Sequence, residues 1–220
     1  MPQVANGIHL DWNLRRARAE NLELELRPSL IHKRASSLRF LSYVNHANMG
    51  SYREAINSFL QGHEPQPNVE AHRKQGRGKH GFGLNDEQEL TGQIRVYGRL
   101  GWNEGHNESF AYTEVNGSMA LGTDVGGKAW HRSNDKAGVA WVRNSISGDH
   151  RRYLQLGGRG FLLGDGALTY RKEKILESYY TAHLVRGVSV SIDFQYIANP
   201  GYNHDRGPVV VPGLRLHLDF

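Results

Sequence analysis

The C-terminal residues constrain the fold most. Leu214, Leu216, Leu218 and Phe220 alternate with Arg215, His217 and Asp219. Successive side chains of a strand point to opposite faces, so this ending is apolar on one face and charged on the other. A transmembrane β-barrel uses such a strand with its apolar side in lipid and its polar side in water. An amphipathic edge strand of a soluble sheet has the same pattern. The rest of the chain has to separate the two.

The pattern recurs. Leu22, Leu24 and Leu26 alternate with Glu23, Glu25 and Arg27, and Leu38, Phe40, Ser42 and Val44 with Arg39, Leu41, Tyr43 and Asn45. Phe82 and Leu84 lie opposite Gly83, Asn85 and Glu87. Ile94, Val96, Gly98, Leu100 and Trp102 alternate with Arg95, Tyr97, Arg99 and Asn103. Val115, Gly117, Met119 and Leu121 face away from Glu114, Asn116 and Ser118. A further strand covers 136–146, with ambiguous parity because Ala140, Trp141 and Val142 are all apolar. Leu176, Tyr180, Ala182 and Leu184 oppose Glu177, Thr181 and His183, and Val188, Val190, Ile192, Phe194 and Tyr196 oppose Ser189, Ser191, Asp193 and Gln195. With the terminal strand this predicts about nine strands, or about ten if Ile8–Trp12 is one.

Composition narrows the class. No window approaches the roughly 20 apolar residues of a membrane helix. A hydrophobic content of 38% and a mean hydropathy of −0.60 are low for a helical membrane protein but compatible with a barrel, whose strands hide their apolar half by alternation. The 26 Gly and 10 Tyr favour sheets, turns and interfaces. The absence of cysteine excludes disulfides and thiolate metal sites. The net charge of +5 is scattered among acidic residues, which argues against a nucleic-acid partner. The opening Met1-Pro2-Gln3-Val4-Ala5-Asn6-Gly7 lacks the basic and apolar regions of a signal peptide. A cytosolic protein, or a mature or truncated piece of an exported one, is expected on that account.

Loop length is sorted by side. With the C-terminus placed on the periplasmic side, the 185–187 and Leu90-Thr91-Gly92 connections are short inner turns. The longest connections, about 50–79 and 147–172, fall outside. Outer-membrane barrels show this asymmetry, and a soluble sandwich has no reason to. The 125–135 connection is long for an inner turn. Trp102, Phe110, Tyr112, Tyr196 and Phe220 gather near strand ends in the manner of interfacial girdles. Residues 62–80, rich in His, Lys, Arg, Gly, Pro and Gln, read as a mobile exposed segment. Ser51–Phe59 and Asp149–Leu156 read as short helices, the second ending at Gly157-Gly158.

No cofactor or enzymatic chemistry is indicated. Twelve His include no His-Glu-x-x-His pattern, and the glycine-rich run 157–166 lacks the Gly-Lys-Ser/Thr ending of a phosphate loop. That run is expected to fold over the barrel mouth. What remains is one polar face carrying Glu23, Glu25, Arg27, Arg39, Tyr43, Glu87, Arg95, Tyr97, Arg99, Glu114, Glu177, Asp193 and Arg215. Among these, Arg27, Arg39, Tyr43, Arg95, Tyr97, Arg99, Glu114, Glu177 and Asp193 are the candidate solute-contacting residues. Charged groups bond hydroxyls as donors and acceptors, and an aromatic face packs on the C–H face of a sugar. Conduction needs such contacts weak and multiple. The same Arg and Glu residues can equally serve to neutralise one another.

The residues also resemble a family. Glu20-Asn21-Leu22-Glu23-Leu24-Glu25-Leu26-Arg27, Asn48-Met49-Gly50-Ser51-Tyr52-Arg53-Glu54-Ala55, Tyr97-Gly98-Arg99-Leu100-Gly101-Trp102-Asn103-Glu104-Gly105, Ser147-Gly148-Asp149-His150-Arg151-Arg152-Tyr153-Leu154 and Tyr196-Ile197-Ala198-Asn199-Pro200 are similar to the OprB-type carbohydrate-selective porins. So are Ala5-Asn6-Gly7, Glu108-Ser109-Phe110-Ala111-Tyr112-Thr113-Glu114 and Asp205-Arg206-Gly207-Pro208. The resemblance spans nearly the whole chain. It implies an outer-membrane barrel that passes sugars by facilitated diffusion without a cofactor. Family members are about twice this length, with about sixteen strands, so this chain is expected to match their C-terminal part as a truncated piece. No family sugar-contact residue is carried over.

The expectation is therefore all-β: a single transmembrane antiparallel up-and-down porin barrel domain over 1–220. Its partners would be transported sugars, outer-membrane lipid and lipopolysaccharide, the barrel-assembly machinery reading Leu214, Leu216, Leu218 and Phe220, and further copies in a homo-oligomer. The alternatives are a soluble β-rich carbohydrate-binding module and an outer-membrane barrel with a structural or adhesive role.

Overall fold

The computed structural model describes residues 1–4, 7–31, 33–109 and 113–219. Their order is β1 (Arg18–Leu26), β2 (Ser36–Gly50), α1 (Tyr52–Leu60), β3 (Arg73–Glu89), β4 (Ile94–Asn103), β5 (Gly117–Gly126), β6 (Lys136–Ser145), α2 (Gly148–Gln155), β7 (Glu173–Val185), β8 (Val188–Ala198) and β9 (Val209–Leu218). The strands form one nine-stranded sheet in chain order, each antiparallel to the next. Strands of nine residues and upward are long enough to cross a bilayer at a tilt. Neither helix is long and apolar enough to do so. Among the described residues β1 and β9 are edges, and the sheet is open.

Register carries the alternation of each strand into a continuous face. Leu24 opposes Phe40, Phe40 opposes Leu84, Leu84 opposes Leu100, and Leu100 opposes Met119. Further on, Leu121 opposes Trp141, Trp141 opposes Leu176, Leu176 opposes Tyr196, and Tyr196 opposes Val210. This settles the parity of β6: Trp141 joins the apolar face and Ala140 and Val142 the other. The apolar face is bare. Leu214 is 79% exposed, Leu22 70% and Ile192 62%. Burying one such side chain is worth about 1.5–3 kcal/mol, so a face of this size left in water would be strongly disfavoured.

The dry core lies elsewhere. It consists of Tyr52, Ala55 and Ile56 from α1, Tyr153 and Leu154 from α2, and Val69, Ile146 and Tyr202. All sit at one end of the sheet, which carries the connections 51–72, 104–116, 146–172 and 199–208. The opposite end has only 27–35, 90–93, 127–135 and 186–187. Both helices begin on a serine cap. Ser51 accepts the Glu54 N–H, and Ser147 accepts the His150 N–H at 3.0 Å. Gly157 follows α2 at φ +93°, a conformation that L side chains rarely adopt.

Several expectations need correction. Ile8–Trp12 is no strand. It makes one isolated bridge, Leu10 to Pro2, because Asp11 turns the chain by accepting the Asn13 N–H at 2.9 Å and Arg16 Nε at 2.9 Å. The connection expected at 50–79 is 51–72, since β3 already begins at Arg73. The segment read as mobile over 62–80 contains buried Val69 and buried Lys79. Its charges looked solvated because their partners are remote in sequence: Arg73 Nε donates to Glu108 at 2.7 Å, and Lys79 Nζ to the Asn107 carbonyl at 3.1 Å. β5 begins at Gly117, leaving Val115 and Glu114 outside it. Phe110, Tyr112 and Phe220, together with Ala5, Asn6 and Ala111, lie outside the described residues.

Candidate functional site: the polar face of the sheet

Six strands contribute to a line of alternating charge. Glu25 on β1 accepts from Arg39 of β2 at 3.2 Å, and Arg39 also donates to Glu87 of β3 at 3.4 Å. Glu87 accepts from Arg95 of β4 at 3.2 Å, and Arg95 donates to Asp124 of β5 at 2.7 Å. Lys136 of β6 closes the line on Asp124 at 3.4 Å. Arg27, just past β1, joins at Glu25 with Nε at 3.1 Å. Each carboxylate thus lies between cations, which fixes the guanidinium planes along the wall. All of these groups except the buried Asp124 are partly exposed, so solvent screens most of the pairs. The ladder fixes where charge sits more than it stabilises the sheet.

Three tyrosines of this face share one arrangement. Tyr43, Tyr97 and Tyr179 stand directly opposite Gly81, Gly122 and Gly138. A Cβ at any of those glycines would collide with the ring of the facing tyrosine. Glycine therefore lets each ring lie across the neighbouring strand and turn a face toward the open side. Arg99 stacks its guanidinium 5.4 Å from the Tyr97 ring centroid. Tyr179 is not among the sequence candidates, because the alternation of β7 pairs Leu176, Tyr180, Ala182 and Leu184 against Glu177, Thr181 and His183. The legible signal was a tyrosine on a polar face with a glycine on the polar face of the adjacent strand.

The remaining candidates form a second group. Glu177, Asp193 and Arg215 line a groove of about 330 Å³ across β7, β8 and β9, with Tyr179, Thr181 and Ser191 beside them. Thr181 and Ser191 hydroxyls are 2.8 Å apart. The ladder and this groove share a face but make no direct ion pair with each other among the described residues.

Glu114 belongs to neither group, and its placement corrects the sequence reading. It is buried in the loop cap, where its carboxylate accepts the Leu162 N–H at 2.8 Å and the Leu163 N–H at 3.0 Å. Burial raises its pKa against the pull of those amides. His150 Nε2 lies 3.8 Å away without a hydrogen-bond partner. Its ring is fully buried and stacked on Tyr52 at 4.4 Å. Burial, with the charge of Lys79, pushes the imidazole down to about 3. The Glu114–His150 contact is therefore no ion pair at neutral pH. Glu114 anchors the glycine-rich run, whose Gly160 N–H bonds the Leu163 carbonyl at 2.7 Å. That run folds onto α2, with Arg159 O accepting from Tyr153 Oη at 2.8 Å.

A family model for the carbohydrate-selective porins of the OprB family matches residues 2–220. The chain belongs to that family. A structure of Pseudomonas putida OprB at high pH superposes with a TM-score of 0.77 at 19% sequence identity, covering 98% of this chain and 51% of that one. At that identity the likeness is one of fold, and the chain spans about half the length of the porin it matches. Comparison with curated proteins gives no match. Family and fold make the nine strands a porin sheet. In a porin the exposed apolar side meets lipid and the charged side meets water.

Proposed function

We propose that the sheet forms wall of an outer-membrane barrel through which sugars cross passively. The observation that carries this reading is the polar face: a charge ladder and flat-lying tyrosines, backed by a bare apolar face. Neighbouring cations already satisfy the ladder carboxylates, so a passing hydroxyl finds donors and acceptors that bind it weakly. The faces of Tyr97 and Tyr179 suit the C–H side of a pyranose. Weak, repeated contacts of this kind suit conduction. Sugars are the transported solutes, outer-membrane lipid covers the apolar face, and the long connections with their cap face the exterior. Leu214, Leu216 and Leu218 of β9, with Phe220 beyond it in the sequence, form the signal offered to the assembly machinery.

Planar-bilayer recording of the purified protein tests the reading. Sugars should reduce the ion conductance in a concentration-dependent way, and Tyr97→Ala should weaken that block several-fold while leaving the open-channel current. Conductance indifferent to every sugar would remove the carbohydrate reading. A chain recovered from a water-soluble fraction without detergent would support a soluble binding module instead.

A further inference from the structure

The apolar face of β4–β9 carries two charged side chains among the described residues, and the register places them directly opposite each other. The outward positions of these strands run Ile94 to Trp102, Gly117 to Val125, Ala137 to Ser145, Lys174 to Leu184, Val188 to Ala198 and Val210 to Leu218, in steps of two. Every one of those residues is uncharged except Arg143 on β6 and Lys174 on β7, which are antiparallel partners. Both are exposed, and neither forms an ion pair with a described acidic residue. Glu173, adjacent in sequence, points to the other face and bonds Asn144 Nδ2 at 3.1 Å and the Gly201 N–H at 3.0 Å. It cannot neutralise the pair.

Like charges directly opposite on a sheet repel each other. At the edge of a hydrocarbon-facing surface the repulsion is not screened as in water. The arrangement therefore calls for a counter-anion from the membrane boundary. The next outward positions toward the middle of the sheet are Leu121, Trp141, Leu176 and Tyr196, all apolar or aromatic. A ligand with its negative head on Arg143 and Lys174 would lay its tail along that strip. The pair sits at the long-loop end, since β6 ends at Ser145 and β7 begins at Glu173.

We propose that Arg143 and Lys174 form a phosphate site for lipid A, the phosphorylated glycolipid anchor of lipopolysaccharide, with its acyl chains along Trp141 and Leu176. The occupant rests on the orientation proposed above, in which the long-loop end faces the outer leaflet. Two cationic residues whose Cα atoms lie about 5 Å apart across a strand pair can share one phosphate, and an amphiphile matches a charged spot bordered by a greasy strip. The uncharged outward positions of the other strands offer no comparable seat, so one site is expected on this part of the surface.

The test is native mass spectrometry of the detergent-purified protein titrated with bis-phosphorylated lipid A, with the phosphate-free form as comparison. The wild-type protein should retain one bis-phosphorylated molecule and release the phosphate-free form. Arg143→Gln/Lys174→Gln should weaken retention at least tenfold while its heat-modifiable gel shift, the mark of a folded sheet, is unchanged. Equal retention by the double variant, or equal retention of the phosphate-free form, overturns the site. Orientation is read separately by labelling Gly207→Cys in intact cells, a clean probe because the chain has no cysteine and a Cβ at Gly207 meets nothing. Labelling from outside supports the outer-leaflet occupant. Protection from the label in intact cells, with labelling after lysis, overturns that orientation and the lipid A assignment together. Labelling with undiminished retention by the double variant overturns the Arg143–Lys174 site alone.

Discussion

His150 carries no charge in the folded protein at neutral pH, although its sequence surroundings, between Asp149 and Arg151, look like an exposed helix start. Its ring is sealed under Tyr52, and protonation would place a cation near Lys79 with only Glu114 at 3.8 Å to answer it. A base with a depressed folded pKa leaves the unfolded state to take up the proton first. Its contribution is therefore whole above the ordinary value of 6.5 and is lost as pH falls from there toward about 3. Across that window the loss is on the order of 5 kcal/mol. Glu114 acts in the opposite sense: its raised pKa relieves the cap between that pKa and its ordinary 4.5 as pH falls. His150→Phe keeps a stacked ring and removes the titration. Hydrogen exchange over 148–163 should show the cap loosening below pH 6 in the wild type and not in the variant. Equal loosening in both would show that another group controls it.

The elements show what was readable along the chain and what was not. Strands β1, β4 and β8 were legible because their period of two depends on local residues alone, and α2 because Gly157-Gly158 ends it. The early start of β3 was not legible, since Arg73 and Lys79 are held by Glu108 and Asn107, which lie some thirty residues on. The same holds for Glu114. It reads as the polar side of a strand until the Leu162 and Leu163 amides, distant in sequence, take it into the cap. The parity of Ala140-Trp141-Val142 required register. The ladder yields a prediction at this scale. Glu87→Gln leaves Arg39 and Arg95 without their shared carboxylate. Stability should change by less than about 1 kcal/mol, while the reversal potential in a salt gradient should shift toward anions. An unchanged reversal potential would mean that the ladder does not face the conduction path.

For the whole molecule, the two sheet edges matter most. Nine consecutive antiparallel strands leave β1 and β9 running in the same direction. They cannot pair with each other antiparallel, so an all-antiparallel barrel containing this sheet has an odd number of further strands between β9 and β1. Unpaired backbone groups in lipid cost several kcal/mol each, which makes such closure the stable state in a membrane. The short-turn end is braced in its own way. Asp135 accepts from the Tyr180 hydroxyl, from Arg132 and from the His183 N–H, and Trp130 Nε1 donates to Tyr180 at 3.2 Å. That network explains why the 127–135 turn is longer than its neighbours: it folds back onto β7 and adds aromatic side chains at the rim.

Everything rests on one side of each strand meeting acyl chains and the other meeting water. The most direct measurement is a cysteine-by-cysteine nitroxide scan of 189–195 on β8 in lipid bilayers, reading accessibility to oxygen and to a water-soluble nickel chelate. Positions 190, 192 and 194 should be accessible to oxygen and closed to nickel, and positions 189, 191, 193 and 195 the reverse. The opposite phase, or no alternation at all, would contradict a porin wall.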